Sequence, residues 1–254
     1  MKLITFGCSW TYGTGLVWEE GMTRDEYDKK EKDAKGSTKR EETPYTEKYA
    51  FRSLLAKKYF DSYENYAEIG SSNQKQFRYA KERFLDIPDE PTVVLWGITS
   101  IWRTEVWSNT GSKKKGHKNI LFGNMDFVEK CKRKNGIDLK YWINNHFDED
   151  NEVDQLAINM LHWNHFFEGH GISNYWYDTF NTHPYKRNIS RMIKGDLLTR
   201  LCDMKDDSYH MSQYWTDCPR ITKAKELGLV NPYSLHPTRE SHVKIADMLA
   251  DLCF

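Results

Sequence analysis

The sequence predicts an α/β fold: a three-layer α/β/α sandwich around a central parallel sheet, carrying irregular insertions. Two observations predict it. Short apolar runs alternate with longer stretches whose apolar residues recur at helical spacing, and such alternation gives parallel strands with helices on both faces. The first three runs also lead into loops of small residues: Gly7-Cys8-Ser9, Gly70-Ser71-Ser72 and Gly97-Ile98-Thr99-Ser100. Sites on such sheets gather at the carboxyl ends of the strands.

Taken in order, residues 2–6 read as a short buried strand. Residues 19–42 are dense in charge of both signs and read as a solvated excursion, with a lid beside Ser9 as the alternative. Tyr49, Ala50, Leu54, Leu55 and Tyr59 mark a helix over 45–59. A second strand is expected over 63–67 and a helix over 74–84. The turn Asp86-Ile87-Pro88-Asp89-Glu90-Pro91 precedes the clearest strand, Thr92-Val93-Val94-Leu95-Trp96. Residues 107–150 show no readable period, and Lys113-Lys114-Lys115 there reads as solvated. Val153, Leu156, Ala157, Met160, Leu161 and Phe167 mark a helix over 152–168, ended by Gly169 and Gly171. A strand over 172–180 follows, then a polar, aromatic and irregular stretch over 181–230 and a last helix over 239–253. The expectation is one domain over 1–254, with insertions near 19–43, 107–150 and 181–230.

Composition narrows the function classes. The chain has 254 residues, with 37 basic and 37 acidic side chains, so no global charge draws it to nucleic acid or an anionic membrane. No apolar run approaches the roughly 20 residues of a membrane helix. Five scattered cysteines without a C-x-x-C pair argue for reduced thiols. The apolar start is too short for a signal peptide, so a cytoplasmic location is expected. Aromatic residues make up 14% of the chain, and each is either core or a platform for a sugar ring.

Several residues stand out chemically. Ser9 leaves a strand for a helix, where its N–H lies at the positive end of the helix and its hydroxyl is either an N-cap or a nucleophile awaiting a base. His236 precedes Pro237, which keeps it on an extended loop free to reach the strand rim, with Thr238 placed to cap the last helix. His242 falls inside that helix and is the weaker base. Gly70 lets backbone N–H groups approach a ligand. Thr99 or Ser100 offers a hydroxyl to an oxyanion. Arg103 pairs with Glu105 or binds an anionic substrate group. His162, His165, Glu168 and His170 lack metal-ligand spacing, and Gly13-Thr14-Gly15 is an incomplete phosphate-binding pattern, so no metal or cofactor is expected.

Together these segments resemble the SGNH (GDSL-type) hydrolases, serine esterases and lipases, and are similar to divergent members common in bacteriophages. Gly7-Cys8-Ser9 stands where the family has Gly-Asp-Ser, and Gly70 at the glycine of its second block. Gly97-Ile98-Thr99-Ser100 stands at Gly-x-Asn-Asp and Tyr233-Ser234-Leu235-His236 at Asp-x-x-His. The resemblance implies a Ser9 nucleophile, a His236 base, and an oxyanion hole from Ser9, Gly70 and Thr99, with Ser100, Arg103, Tyr233 and Asp178 in support. It implies a small ester as substrate, and the wealth of aromatic rings points to an acylated glycan. Tyr233 replaces the acid, which leaves a Ser–His dyad, a backbone carbonyl, or Asp178 or Asp217 to serve His236. A slow esterase and a non-catalytic binding or virion-associated module both remain open.

Overall fold

A computed structural model of the protein describes residues 1–34, 41–108, 116–121, 141, 145, 147–179, 182–204 and 219–254. Five parallel strands form the central sheet: β1 (Lys2–Phe6), β2 (Ser62–Asn65), β3 (Thr92–Ile98), β6 (Ser173–Asp178) and β7 (Met192–Asp196). Their order is β2-β1-β3-β6-β7, which places a topological switch point between β1 and β3. Register pairs Phe6 with Trp96 and Ile98 with Asp178, so these three strands end on a common rim.

Alternate residues of the strands feed two separate cores, as a sheet covered on both faces requires. Leu3, Leu95, Tyr177 and Ile193 pack with α4 (Phe51–Tyr59), α7 (Leu197–Leu201), α8 (Pro219–Glu226) and α9 (Arg239–Cys253). On the other face Ile4, Phe6, Val94, Trp96 and Trp176 pack with α5 (Asn73–Arg83) and α6 (Glu149–Gly169). Trp96 stacks on Phe6 at 4.5 Å and on Trp176 at 4.7 Å between ring centroids. These rings, and Trp10, are core.

Three expected elements are corrected. The helix over 45–59 is two helices, α3 (Pro44–Tyr49) and α4, broken at an extended Ala50. The break presents the Phe51 N–H to His242 Nδ1, 3.1 Å away, so a buried imidazole accepts what a longer helix would have kept internal. The stretch over 181–230 contains β7, α7 and α8. The excursion over 19–43 carries α2 (Arg24–Asp33), opened by a capping box between Thr23 and Glu26. This helix lends Glu31 and Ala34 to a small cavity behind residues 12–17. After β3 the chain turns and forms an antiparallel pair, β4 (Arg103–Ser108) with β5 (Gly116–Leu121). Lys113–Lys115 lie outside the described residues. Among the described residues no helix is long and apolar enough to cross a membrane.

Candidate active site

Ser9 opens α1 (Ser9–Tyr12), a helix of four residues that is too short to stand alone. It is held from outside. Gly13 ends it in the left-handed conformation, with φ 95°. The wholly buried Arg52 donates to the Thr11 and Tyr12 carbonyls at 3.1 and 3.0 Å, and pairs with Glu42 at 2.7 Å. On the sheet side, Thr11 Oγ1 lies 2.7 Å from Tyr177 Oη. A β-carbon on Gly7 would lie 2.1 Å from Thr11 Oγ1, and one on Gly97 2.6 Å from it, so both glycines are there to admit this helix.

His236 reaches Ser9 from the other end of the chain. Its Nε2 is 2.8 Å from Ser9 Oγ. The loop that presents it is built by Asn231, whose Oδ1 accepts the Tyr233 and Ser234 N–H groups and whose Nδ2 donates to Ser234 Oγ. Leu235 takes a left-handed φ of 59°, and Thr238 then caps α9 through the Ser241 N–H. Gly15 packs directly on this loop: a β-carbon there would sit 2.4 Å from Asn231 Nδ2 and 3.2 Å from His236 Cβ. The Gly13-Thr14-Gly15 stretch therefore serves helix termination and loop contact.

The imidazole is held neutral. Burial, and then the positive charge of Arg103, push its pKa down to about 4, against a weaker opposite pull from the Ser234 carbonyl. That carbonyl favours a proton on Nδ1, which has no hydrogen-bond partner among the described residues. Two expected supports are corrected here. Tyr233 turns away, donating to the Met22 carbonyl at 2.6 Å and packing on Tyr27, because the excursion over 19–43 docks on that side. Asp178 instead accepts from His183 and Tyr185, and no hydrogen bond joins it to His236 among the described residues. Asp217 lies outside the described residues.

The remaining candidates divide. Thr99 is wholly buried, and its Oγ1 has no hydrogen-bond partner among the described residues. Its backbone is clamped by Asn73, which accepts the Thr99 N–H at 2.9 Å and donates to the Thr99 carbonyl at 2.8 Å. Asn73 is the functional residue that sequence reasoning missed. Its signal was an amide side chain directly after the Gly70-Ser71-Ser72 turn, where Ser72 already supplies the helix cap. Gly70 sits in that turn at φ 72°, tied to the end of β1 by the Glu68 N–H on the Gly7 carbonyl. No described residue accepts the backbone N–H of Ser9 or of Gly70. Ser100 Oγ accepts the Trp102 N–H and serves the turn into β4. Glu105 pairs with Arg78 at 2.9 Å, reached from the face of α5. His242 is structural: Nδ1 accepts from Phe51, and burial drives its pKa down to about 3. His162, His165 and His170 are exposed on and after α6, and among the described residues no group of three metal-ligating side chains converges.

No family model matches the sequence, and no curated protein does. Among solved structures, the crystal structure of a member of the lipolytic protein G-D-S-L family from Veillonella parvula DSM 2008 is similar over 98% of this chain and 96% of that chain. The TM-score is 0.40 and the identity 11%.

Proposed function

We propose that the protein is a serine hydrolase of carboxylic esters, acting through an acyl–Ser9 intermediate. The single supporting observation is the 2.8 Å contact between Ser9 Oγ and His236 Nε2, made by residues 227 positions apart. In this reading Ser9 Oγ attacks the ester carbonyl as its proton passes to His236 Nε2. The Ser9 and Gly70 N–H groups hold the oxyanion. Collapse expels the alcohol, which takes the proton back from His236. Water then repeats the cycle on the acyl group and frees Ser9. An O-acetyl group on a carbohydrate is the proposed substrate.

Turnover is slow in this account. Disturbing the acid of a Ser–His–Asp triad costs roughly 10⁴ in kcat, and among the described residues the Ser234 carbonyl is the one group that favours a proton on His236. The test is hydrolysis of p-nitrophenyl acetate and labelling by a fluorophosphonate, each with native protein and Ser9→Ala. Activity and label that vanish together with the hydroxyl support the reading; turnover unchanged in Ser9→Ala rejects it. The unpartnered Nδ1 of His236 favours a second reading, a binding module that keeps the fold without catalysis. That reading expects no label on Ser9 while an acylated sugar still binds.

A further inference from the structure

The charged excursion before α3 does more than meet solvent. Its helix α2 has ten residues, of which Tyr27 alone is buried, at 3% exposure. A helix polar on almost every face takes its place from that one contact. Tyr27 is aimed at the loop of His236. Its ring packs on Tyr233 at 5.6 Å between centroids, and its hydroxyl meets the side chains of Ser234 and Asn231. Beside it the Tyr233 hydroxyl donates to the Met22 carbonyl at 2.6 Å. Arg24 donates to the Tyr233 carbonyl at 3.1 Å and lies over the Tyr233 ring.

The same stretch holds the other flank of the loop. Arg239 donates to the Leu16 carbonyl at 2.9 Å and pairs with Glu19 at 2.9 Å, while Glu19 also takes Lys30 of α2 at 3.1 Å. Between the flanks, a β-carbon on Gly15 would lie 3.2 Å from His236 Cβ. Residues 15–30 thus grip the loop three residues before His236, at His236, and three residues after it. At its start this stretch is tied to the nucleophile, because the Thr14 N–H donates to the Ser9 carbonyl at 2.9 Å.

In a Ser–His–Asp triad the acid orients the imidazole as well as stabilising its charge. Among the described residues nothing bonds His236 Nδ1, so the orientation of the ring rests on its loop. Resting on the esterase reading, we infer that residues 14–30 are a strap that fixes the His236 loop against Ser9, with Tyr27 as its positioning residue. Orientation is the part of the missing acid's work that an uncharged support supplies. The charged and titratable groups that bear on His236 are Arg103 of β4 and His242 of α9. Neither belongs to the strap, which acts by placing and covering the ring.

The test compares the native protein with Tyr27→Ala, Tyr27→Phe and, as control, Lys29→Ala, an exposed position on the same helix. Two readouts are taken in folded protein: titration of the His236 ring by NMR, which needs no turnover, and the rate at which a fluorophosphonate labels Ser9. Native His236 should be about nine-tenths neutral at pH 5. In Tyr27→Ala the freed ring should be more than about half protonated there, and labelling at pH 8 should slow roughly tenfold or more, since a misplacement of about 1 Å costs on the order of 10²-fold. Tyr27→Phe keeps the ring contact and should fall between; Lys29→Ala should match native. A native titration in folded Tyr27→Ala overturns the inference, whatever happens to the labelling rate. A lowered melting temperature with both readouts native overturns it too, as the mark of a purely structural contact. Should Tyr27→Ala not fold, Tyr27→Phe decides, and native values of both readouts overturn the inference. Failure of the esterase reading is separate: native protein then takes no label, while the titration still decides the strap.

Discussion

An acid limb near pH 4 is expected for any reaction at Ser9 that needs a neutral His236. An unperturbed histidine titrates near 6.5, and burial with the Arg103 charge takes His236 down to about 4. At pH 5 the ring is then about nine-tenths neutral, against about 3% for an unperturbed histidine. The assay is the second-order rate of fluorophosphonate labelling of Ser9 between pH 4.5 and 8, with near-UV circular dichroism recording that the fold persists at each pH. A rate that changes less than twofold from pH 7 to pH 5 is expected. A fall of tenfold or more over that range, in folded protein, refutes the account of the site. The same assay reads the effect of a restored carboxylate. Tyr233→Asp removes the bond to the Met22 carbonyl and places an acid three residues before His236. A carboxylate within contact raises a histidine pKa by about 1–3 units, so the limb moves up toward neutrality. An unmoved limb in a folded variant says that position 233 does not face Nδ1.

Three further outcomes follow from the same geometry. Because His236 and His242 are both held neutral when folded, the unfolded chain binds more protons below about pH 6.5, and stability falls as pH drops toward their folded values of about 4 and 3. Each costs about 2 kcal/mol between pH 7 and pH 5; urea titrations in His242→Phe should show about half the slope and a baseline loss of about 1–3 kcal/mol from the orphaned Phe51 N–H. Thr99→Val removes a sealed hydroxyl with no hydrogen-bond partner among the described residues, so melting temperature and kcat should both hold. A kcat fall of roughly 10²–10³-fold, the cost of one oxyanion donor, would refute this placement. Gly15→Ala meets a φ of 86° and Asn231 Nδ2 at 2.4 Å, displacing the loop of His236; a misplacement of about 1 Å costs on the order of 10²-fold, which the labelling rate measures.

The sheet was legible where strands are buried on both faces. Thr92–Ile98 is buried throughout and reads as an apolar run, and Lys2–Phe6 nearly so. The edge strand β7 was not: Met192-Ile193-Lys194-Gly195-Asp196 buries only Ile193 and Asp196, so its sequence carries little apolar signal. Ser9 and His236 were legible because each sits beside a strong local stop, a strand end and a proline. Their supports were not. Arg52, Asn73 and Asn231 act through hydrogen bonds with backbone N–H and carbonyl groups, which every residue type carries and which leave no mark on the sequence of the partner. The break at Ala50 was invisible for the same reason, since its cause, His242, lies 191 residues from Phe51.

The distribution of these supports bears on whether the pair still works. A binding module gains nothing from holding an imidazole neutral against a serine hydroxyl, and the arrangement is costly: a buried nitrogen without a partner costs about 1–3 kcal/mol. Polar side chains nonetheless fix each part from a different segment. Arg52 and Gly13 hold the helix of Ser9, Asn73 clamps the backbone of Thr99, and Asn231 shapes the loop of His236. What the site lacks is a strong base; what it keeps is placement. Placement alone supplies large rate factors, because oriented groups remove entropy from the barrier and donors preset for an oxyanion need no reorganisation.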